Sequence, residues 1–336
     1  MSYKIGILDQ SPVIENLSNN EILQRTVELA QKAESWGYER FWVSEHHNSD
    51  AVLGSSPEVL VSYLLARTKT IRVGSGGVML QHYSPYKVAE NFQVLATLEP
   101  GRVDLGIGKG PGGLPLSTRA LQNGTLNDGS DFEEKAEFLV KLLKDEVPET
   151  HPLAGIKAVP TPPIQQEIIL LGASPTSAKQ AKKLGVAFSY ATFFNNNENV
   201  LVEAAKEYRE NNENGRFILA IGVVAADTSE KAKQLVGDSK IVKVHLASGR
   251  TVTLSDVETA EKFGKDSGED FRIEVQGNNI LAGTPTEIKE KLDALYELYQ
   301  VDEFILHMPI ASYEDRLYSY ELLSPKSLKN TELLTR

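Results

Sequence analysis

The chain has 336 residues, with 35 basic and 46 acidic side chains and a formal charge of −11 spread without long blocks of one sign. Dispersed negative charge argues against nucleic acid or an anionic membrane as partner and leaves small molecules as the expected ones. The absence of cysteine excludes disulfides, thiolate nucleophiles and cysteine-held zinc or iron–sulfur clusters, so redox chemistry needs a bound cofactor.

Short β-rich apolar runs, each followed by a longer helix-periodic segment, recur along the chain in the manner of βα units. Strands are expected at Lys4–Leu8, Arg40–Val43, Ile71–Ser75, Val103–Gly106, Ile168–Leu171, Val186–Tyr190, Phe217–Ala225 and Glu303–Leu306. Several are nearly continuous apolar runs, as strands buried on both faces must be. Eight of them suggest the α/β class and one (β/α)8 TIM barrel over residues 1–336, a fold that takes about 250 residues and more with insertions. The start, Met1 to Val13, is interrupted by Lys4 and Asp9 and has no leader pattern. The longest apolar run, Phe217 to Ala226, is far short of the roughly 18 residues a spanning helix requires. A cytoplasmic protein is expected.

Helix starts are marked by Ser56-Pro57, Ser84-Pro85, Ser174-Pro175 and Thr284-Pro285, because a hydroxyl satisfies an orphan amide and proline at the first position loses nothing. Ser18 with Glu21, Ser130 with Glu133 and Thr284 with Glu287 have capping-box spacing. In the first helix Leu23, Val27, Ala30 and Ala33 share a face that should cover the barrel wall. Gly106 to Ser130 and the proline-rich His151 to Gln166 are expected to be loops. Residues 227–283 exceed a simple crossover and form an insertion before the last helix–strand unit, either a mobile lid or a surface excursion without a role.

Four constellations follow strands, at the end of the barrel where active sites of this fold lie. Glu45-His46-His47-Asn48 comes after the second strand. Neighbours in extended chain point in opposite directions, so one histidine should face the pocket while the other packs or orients; two structural histidines are the alternative. The order fits neither His-Glu-x-x-His nor His-x-His, and no metal is expected. Val73-Gly74-Ser75-Gly76-Gly77-Val78-Met79-Leu80 lets backbone approach a planar ligand or bulge. Gly106-Ile107-Gly108-Lys109-Gly110-Pro111-Gly112-Gly113 is neither a P-loop nor Gly-x-Gly-x-x-Gly; Lys109 suits an anion or is a solvated loop lysine. At Leu170-Leu171-Gly172-Ala173-Ser174-Pro175-Thr176-Ser177, helix amides and small hydroxyls suit an anion; the alternative, compatible with it, is that Ser174 simply caps the helix. Smaller signals are Asp9-Gln10-Ser11, Thr192-Phe193-Phe194 and His307, all at the expected mouth.

Taken together, Leu8-Asp9-Gln10-Ser11-Pro12, Phe41-Trp42-Val43-Ser44-Glu45-His46-His47-Asn48, the glycine string Val73 to Leu80 and Gly101-Arg102-Val103-Asp104-Leu105-Gly106-Ile107-Gly108 resemble the luciferase-like flavin monooxygenases. The likeness continues through Leu171-Gly172-Ala173-Ser174 and Gly283-Thr284-Pro285-Thr286 to Glu303-Phe304-Ile305. It implies FMN at the carboxyl face of the barrel, oxygen as co-substrate and a homodimer. It implies a non-prolyl cis bond at Gly76-Gly77 under the flavin ring, with Lys109, Ser174 and Ser177 on the phosphate beside Gly172 and Ala173. It implies His46 as proton donor or acceptor at the flavin edge, Glu45 as an orienting carboxylate and His47 as support. Bacterial luciferase has a reactive cysteine where this chain has Gly108 and an arginine at Lys109, so light emission is not expected.

No separate nicotinamide-binding fold is visible, and reduced FMN is expected from a separate flavin reductase. The expected reaction oxygenates a small organic substrate such as an aldehyde. The alternatives are a dehydrogenase using the deazaflavin F420 and a flavin-binding protein without turnover.

Overall fold

Apolar runs flanked by turn residues become strands with little adjustment. The computed structural model describes residues 2–334 apart from 126, 238, 239, 250, 255 and 278. Its strands in chain order are β1 (Lys4–Asp9), β2 (Arg40–Val43), β3 (Arg72–Met79), β4 (Val103–Gly108), β5 (Glu167–Gly172), β6 (Ala187–Ala191), β7 (Phe217–Ala225), β8 (Lys240–Leu246), β9 (Thr251–Leu254), β10 (Phe271–Gly277), β11 (Leu281–Gly283) and β12 (Glu303–His307). The helices are α1 (Asn19–Trp36), α2 (Pro57–Arg67), α3 (Pro85–Leu98), α4 (Pro115–Leu121), α5 (Phe132–Lys144), α6 (Pro175–Leu184), α7 (Glu198–Arg209), α8 (Ser229–Val236), α9 (Val257–Ser267), α10 (Pro285–Tyr299), α11 (Tyr313–Leu322) and α12 (Pro325–Leu334). Among the described residues no helix is long and apolar enough to cross a membrane.

Strands β1 to β7 and β12 pair in parallel, each with the next, and β12 closes on β1. The result is the expected (β/α)8 barrel. Alternation along each strand sends Leu8, Trp42, Ile169, Ala187, Ile218 and Ile305 into the interior, while Ile7, Phe41, Phe188 and Phe304 join the larger core that includes buried helix residues. On α1 that contact uses Ile22, Thr26, Val27, Leu29, Ala30 and Ala33, with Leu23 only half-buried, so the covering face is turned slightly from the expected one.

The floor of the cylinder, at the amino ends of the strands, is ionic. The fully buried Arg40 reaches Glu303 at 2.7 Å and Asp104 at 2.8 Å. Its far edge is 3.3 Å from Glu167, and Arg72 and Arg216 complete the set on Asp104, Glu167 and Glu303. Trp42 donates its indole N–H to Asp104. Gly6 makes room for this: a Cβ there would stand 2.6 Å from Arg40 Cγ and 2.7 Å from Ile305 Cδ1. Three arginines face three carboxylates, and each buried charge therefore has a partner.

Two expectations about the connections need correction. Gly106 to Ser130 is not all loop: β4 runs on to Gly108, and α4 forms where Pro115 supplies a preset first helical residue. Ser130 does not cap α5. Asp131 stands at that position without a side-chain cap bond, its backbone at φ −85° and ψ 5° rather than extended, and its carboxylate accepts from Asn127 Nδ2 instead. The boxes at Ser18–Glu21 and Thr284–Glu287 do form, and residues 151–166 contain neither helix nor strand.

Between Ala225 and the start of α10 the chain makes α8, then an antiparallel sheet of order β10-β8-β9 backed by α9, then β11. The sheet has its own buried kernel of Val242, Val244, Leu246, Ala260 and Phe263, against which Leu114 packs. The chain returns through β11, which lies on the carboxyl half of β7, from Leu281 opposite Val223 to Gly283 opposite Ala225, while β12 occupies the amino half.

Candidate active site

The carboxyl ends of β2, β3, β4 and β5 are neighbours, so the four constellations that follow them border one mouth. Pairing of β3 with β4 runs to Ser75 opposite Leu105 and resumes at Val78 opposite Ile107, leaving Gly76 and Gly77 to oppose the single Gly106. This bulge detaches both glycines from the ladder and re-aims their backbone. Their peptide bond is cis. A Cβ on Gly77 would stand 2.6 Å from Leu171 Cδ1 and 2.7 Å from the Gly106 carbonyl oxygen, and one on Gly76 about as close as 3.0 Å to Leu8 Cδ1 and 3.1 Å to Trp42. Only glycine lets this backbone lie flush against the wall.

Beside it lies a buried carboxylate. Glu45, 1% exposed, accepts the Met79 N–H on Oε2 at 2.9 Å, and the Tyr83 hydroxyl and His47 Nε2 on Oε1, both at 2.7 Å. It ties the ends of β2 and β3 to the segment entering α3. The histidines separate as alternation requires. His47 bonds Glu45, and its amide donates to Gly112. His46 turns elsewhere, its Nδ1 3.0 Å from Ser44 Oγ, and among the described residues Nε2 has no partner. Burial, then the neighbouring His47, lowers the His46 pKa, and Glu45 opposes them.

Lys109 is exposed one residue beyond β4 and lies over Gly129. Ser174 and Ser177 form a reciprocal cap at the amino end of α6, each backbone or hydroxyl of one meeting the hydroxyl of the other. Gly172 lets β5 end against that first turn, since a Cβ there would collide with Ser177 Oγ. Ala173 accepts Asn195 Nδ2 on its carbonyl. Ile107 pairs with Leu170, so the chain leaving β4 at Lys109 starts level with the end of β5.

Two participants were not foreseen. Tyr83 meets Glu45 across 38 residues, and Arg316 of α11 reaches Asp9 from the far end of the chain at 3.5 Å; neither position carries a local pattern. Of the smaller signals, Asp9 is held on Oδ2 by the Ser11 N–H and the Thr26 hydroxyl, and the His307 ring lies 5.6 Å from that of Phe193.

Burial pushes the His307 imidazole from the usual 6.5 down to about 4, against the attraction of Asp9. The unfolded chain therefore binds the extra proton between these values. The contribution of the neutral side chain is complete above pH 6.5 and is lost as pH falls from there to about 4. The melting temperature should drop more steeply on acidification through this window in the wild type than in His307→Gln; parallel curves would contradict this.

A family model described as luciferase-like monooxygenase matches residues 3–302. The N-acetyl-S-alkylcysteine monooxygenase of Bacillus subtilis (strain 168) is 44% identical over 324 residues, covering 96% of this chain and 97% of that protein. The crystal structure of apo-MsnO8 superposes with a TM-score of 0.78 at 30% identity, covering 98% and 99% of the two chains. The oxygenating constituent of 3,6-diketocamphane monooxygenase from Pseudomonas putida, solved with FMN, shares the fold at a TM-score of 0.69 and 19% identity, covering 97% and 98%.

Proposed function

Because the chain belongs to the luciferase-like monooxygenase family, we propose that it is an FMN-dependent member that uses reduced FMN and O2 to oxygenate a small organic substrate. The observation that carries this reading is the bulged Gly76-Gly77 backbone, freed from its ladder beside the buried Glu45 cluster and flanked by the α6 entrance. Bare backbone suits the face of a flat ring, and a helix entrance with hydroxyls suits a phosphate. In this reading Gly76 and Gly77 support the ring, while Lys109, Ser174 and Ser177 hold the phosphate, with Gly172 and Ala173 shaping its seat.

When bound, reduced FMN supplies the two electrons that let one oxygen atom of O2 enter the substrate while the other leaves as water. The chain does the rest. Glu45 keeps Met79, Tyr83 and His47 fixed around the mouth. His46, neutral at ordinary pH, gives or takes a proton at Nε2. The β8–β10 sheet and α9 cover the mouth and exclude water, and bound FMN should slow proteolysis of residues 227–283; equal cleavage with and without FMN would remove the cover. A separate flavin reductase delivers the reduced cofactor. The working form is a homodimer, for which exposed Val59, Tyr63, Val94 and Leu98 on α2 and α3 supply apolar surface, and the mass in solution tests it.

An aldehyde is one substrate candidate. The name of the 44% identical relative favours a second, an N-acetyl-S-alkylcysteine. The cofactor assignment is tested by absorbance titration with FMN, riboflavin and F420. Wild type should bind FMN in preference to F420. Lys109→Ala should weaken FMN about tenfold or more, the scale of one charge-assisted hydrogen bond, and leave riboflavin unchanged. Preference for F420, or equal losses for FMN and riboflavin, would count against the reading.

A further inference from the structure

A buried arginine whose guanidinium lies 5.7 Å from the Tyr313 ring, with no well-made hydrogen bond among the described residues, stands at the other side of the mouth. Arg316 is 3% exposed, and a guanidinium carries five N–H donors and no acceptor. Its Nη1 stands 3.5 Å from Asp9 Oδ1, too far for a well-made bond, and its Nε has no hydrogen-bond partner among the described residues. Asp9 is held on Oδ2 by the Ser11 N–H and the Thr26 hydroxyl, so its position does not depend on a close bond from Arg316. Buried donors are seldom left so bare, since each costs free energy until something accepts from it.

Arg316 lines a cleft between the carboxyl ends of β1 and β12. Leu8, Met308, Ile310 and Tyr320 give that cleft apolar walls, and His307 stands at its edge. Leu8 connects it to the ring platform: the same side chain sits 3.0 Å from where a Cβ of Gly76 would be. The low pKa of His307 leaves it uncharged at neutral pH, so Arg316 supplies the positive charge.

The geometry points to this cleft as the seat of the substrate's anionic end, with Arg316 binding the carboxylate of a small organic acid whose apolar arm runs past Leu8 toward Gly76-Gly77. The assignment rests on the monooxygenase site proposed above. Asp9 sets the class of anion. A singly charged carboxylate tolerates that neighbour, whereas a doubly charged phosphate meets about twice the repulsion.

The test is calorimetric titration of the purified protein, with and without FMN, using hexanoate and its neutral counterpart hexanamide. Wild type should bind hexanoate more tightly than hexanamide. Arg316→Met should weaken hexanoate about tenfold or more, as loss of a charge-assisted bond does, with hexanamide unchanged. Arg316→Lys, which keeps the charge, should recover part of the loss. Melting curves identify any variant that fails to fold, and the lysine variant then carries the comparison. Absence of hexanoate binding by wild type, or equal weakening of acid and amide, overturns the assignment. Failure of the flavin reading appears separately, as wild type that does not bind FMN while the acid–amide contrast persists.

Discussion

Replacing His46 by asparagine should lower kcat by about 10²–10⁴-fold, the range that a positioned proton donor or acceptor contributes, while FMN affinity stays near that of wild type. Asparagine keeps an amide for Ser44 Oγ, which now faces Nδ1, and removes the titrating nitrogen. The loss should fall on kcat because Nε2, without a hydrogen-bond partner among the described residues, is the atom available to the reaction. The pH profile gives a second readout. Burial lowers the His46 pKa below its usual 6.5, so a role as base predicts activity that is full at neutral pH and declines only as pH falls below that value. The variant should lack that limb. A variant with wild-type kcat, or one whose acid limb survives, would remove His46 from the chemistry.

Arg40→Met should destabilise the folded chain by about 3–5 kcal/mol, the usual consequence of taking one partner from a buried ion pair. Methionine fills much of the arginine stem's volume but leaves Asp104 and Glu303 each short of a guanidinium. Arg72 still holds Asp104 and Arg216 still holds Glu303, so the barrel should fold at low temperature. Because the network sits at the opposite end of the strands from the mouth, FMN titration at that temperature should match wild type. An unfolding free energy, from denaturant titration, lowered by less than about 1 kcal/mol would mean the floor carries little net energy.

Much of the barrel was legible because a strand buried on both faces must be apolar throughout. Arg40–Val43 and Phe217–Ala225 are strands over those same residues. The third strand continued four residues past its expected end because glycines, poor strand formers in isolation, are carried through by the bulge opposite Gly106. The helix α4 was hidden behind a glycine- and proline-rich entry. The small antiparallel sheet was readable in principle, since Ile241-Val242-Lys243-Val244-His245-Leu246 alternates and is alternately buried. At the site, Glu45, His46 and the glycine pair were marked by their place after strands. What was not legible is which histidine Glu45 holds, and the contacts of Tyr83 and Arg316, which depend on elements far apart in the chain.

The nine residues of β7 bear β12 on their first half and β11 on their second. The excursion between β7 and α10 is thus stitched back into the cylinder at its exit, and Asn279 donates to the Thr192 carbonyl there. With a private kernel and a fixed return point, this module should keep its own fold when its outer turns change in length, while the staves beneath keep their closure.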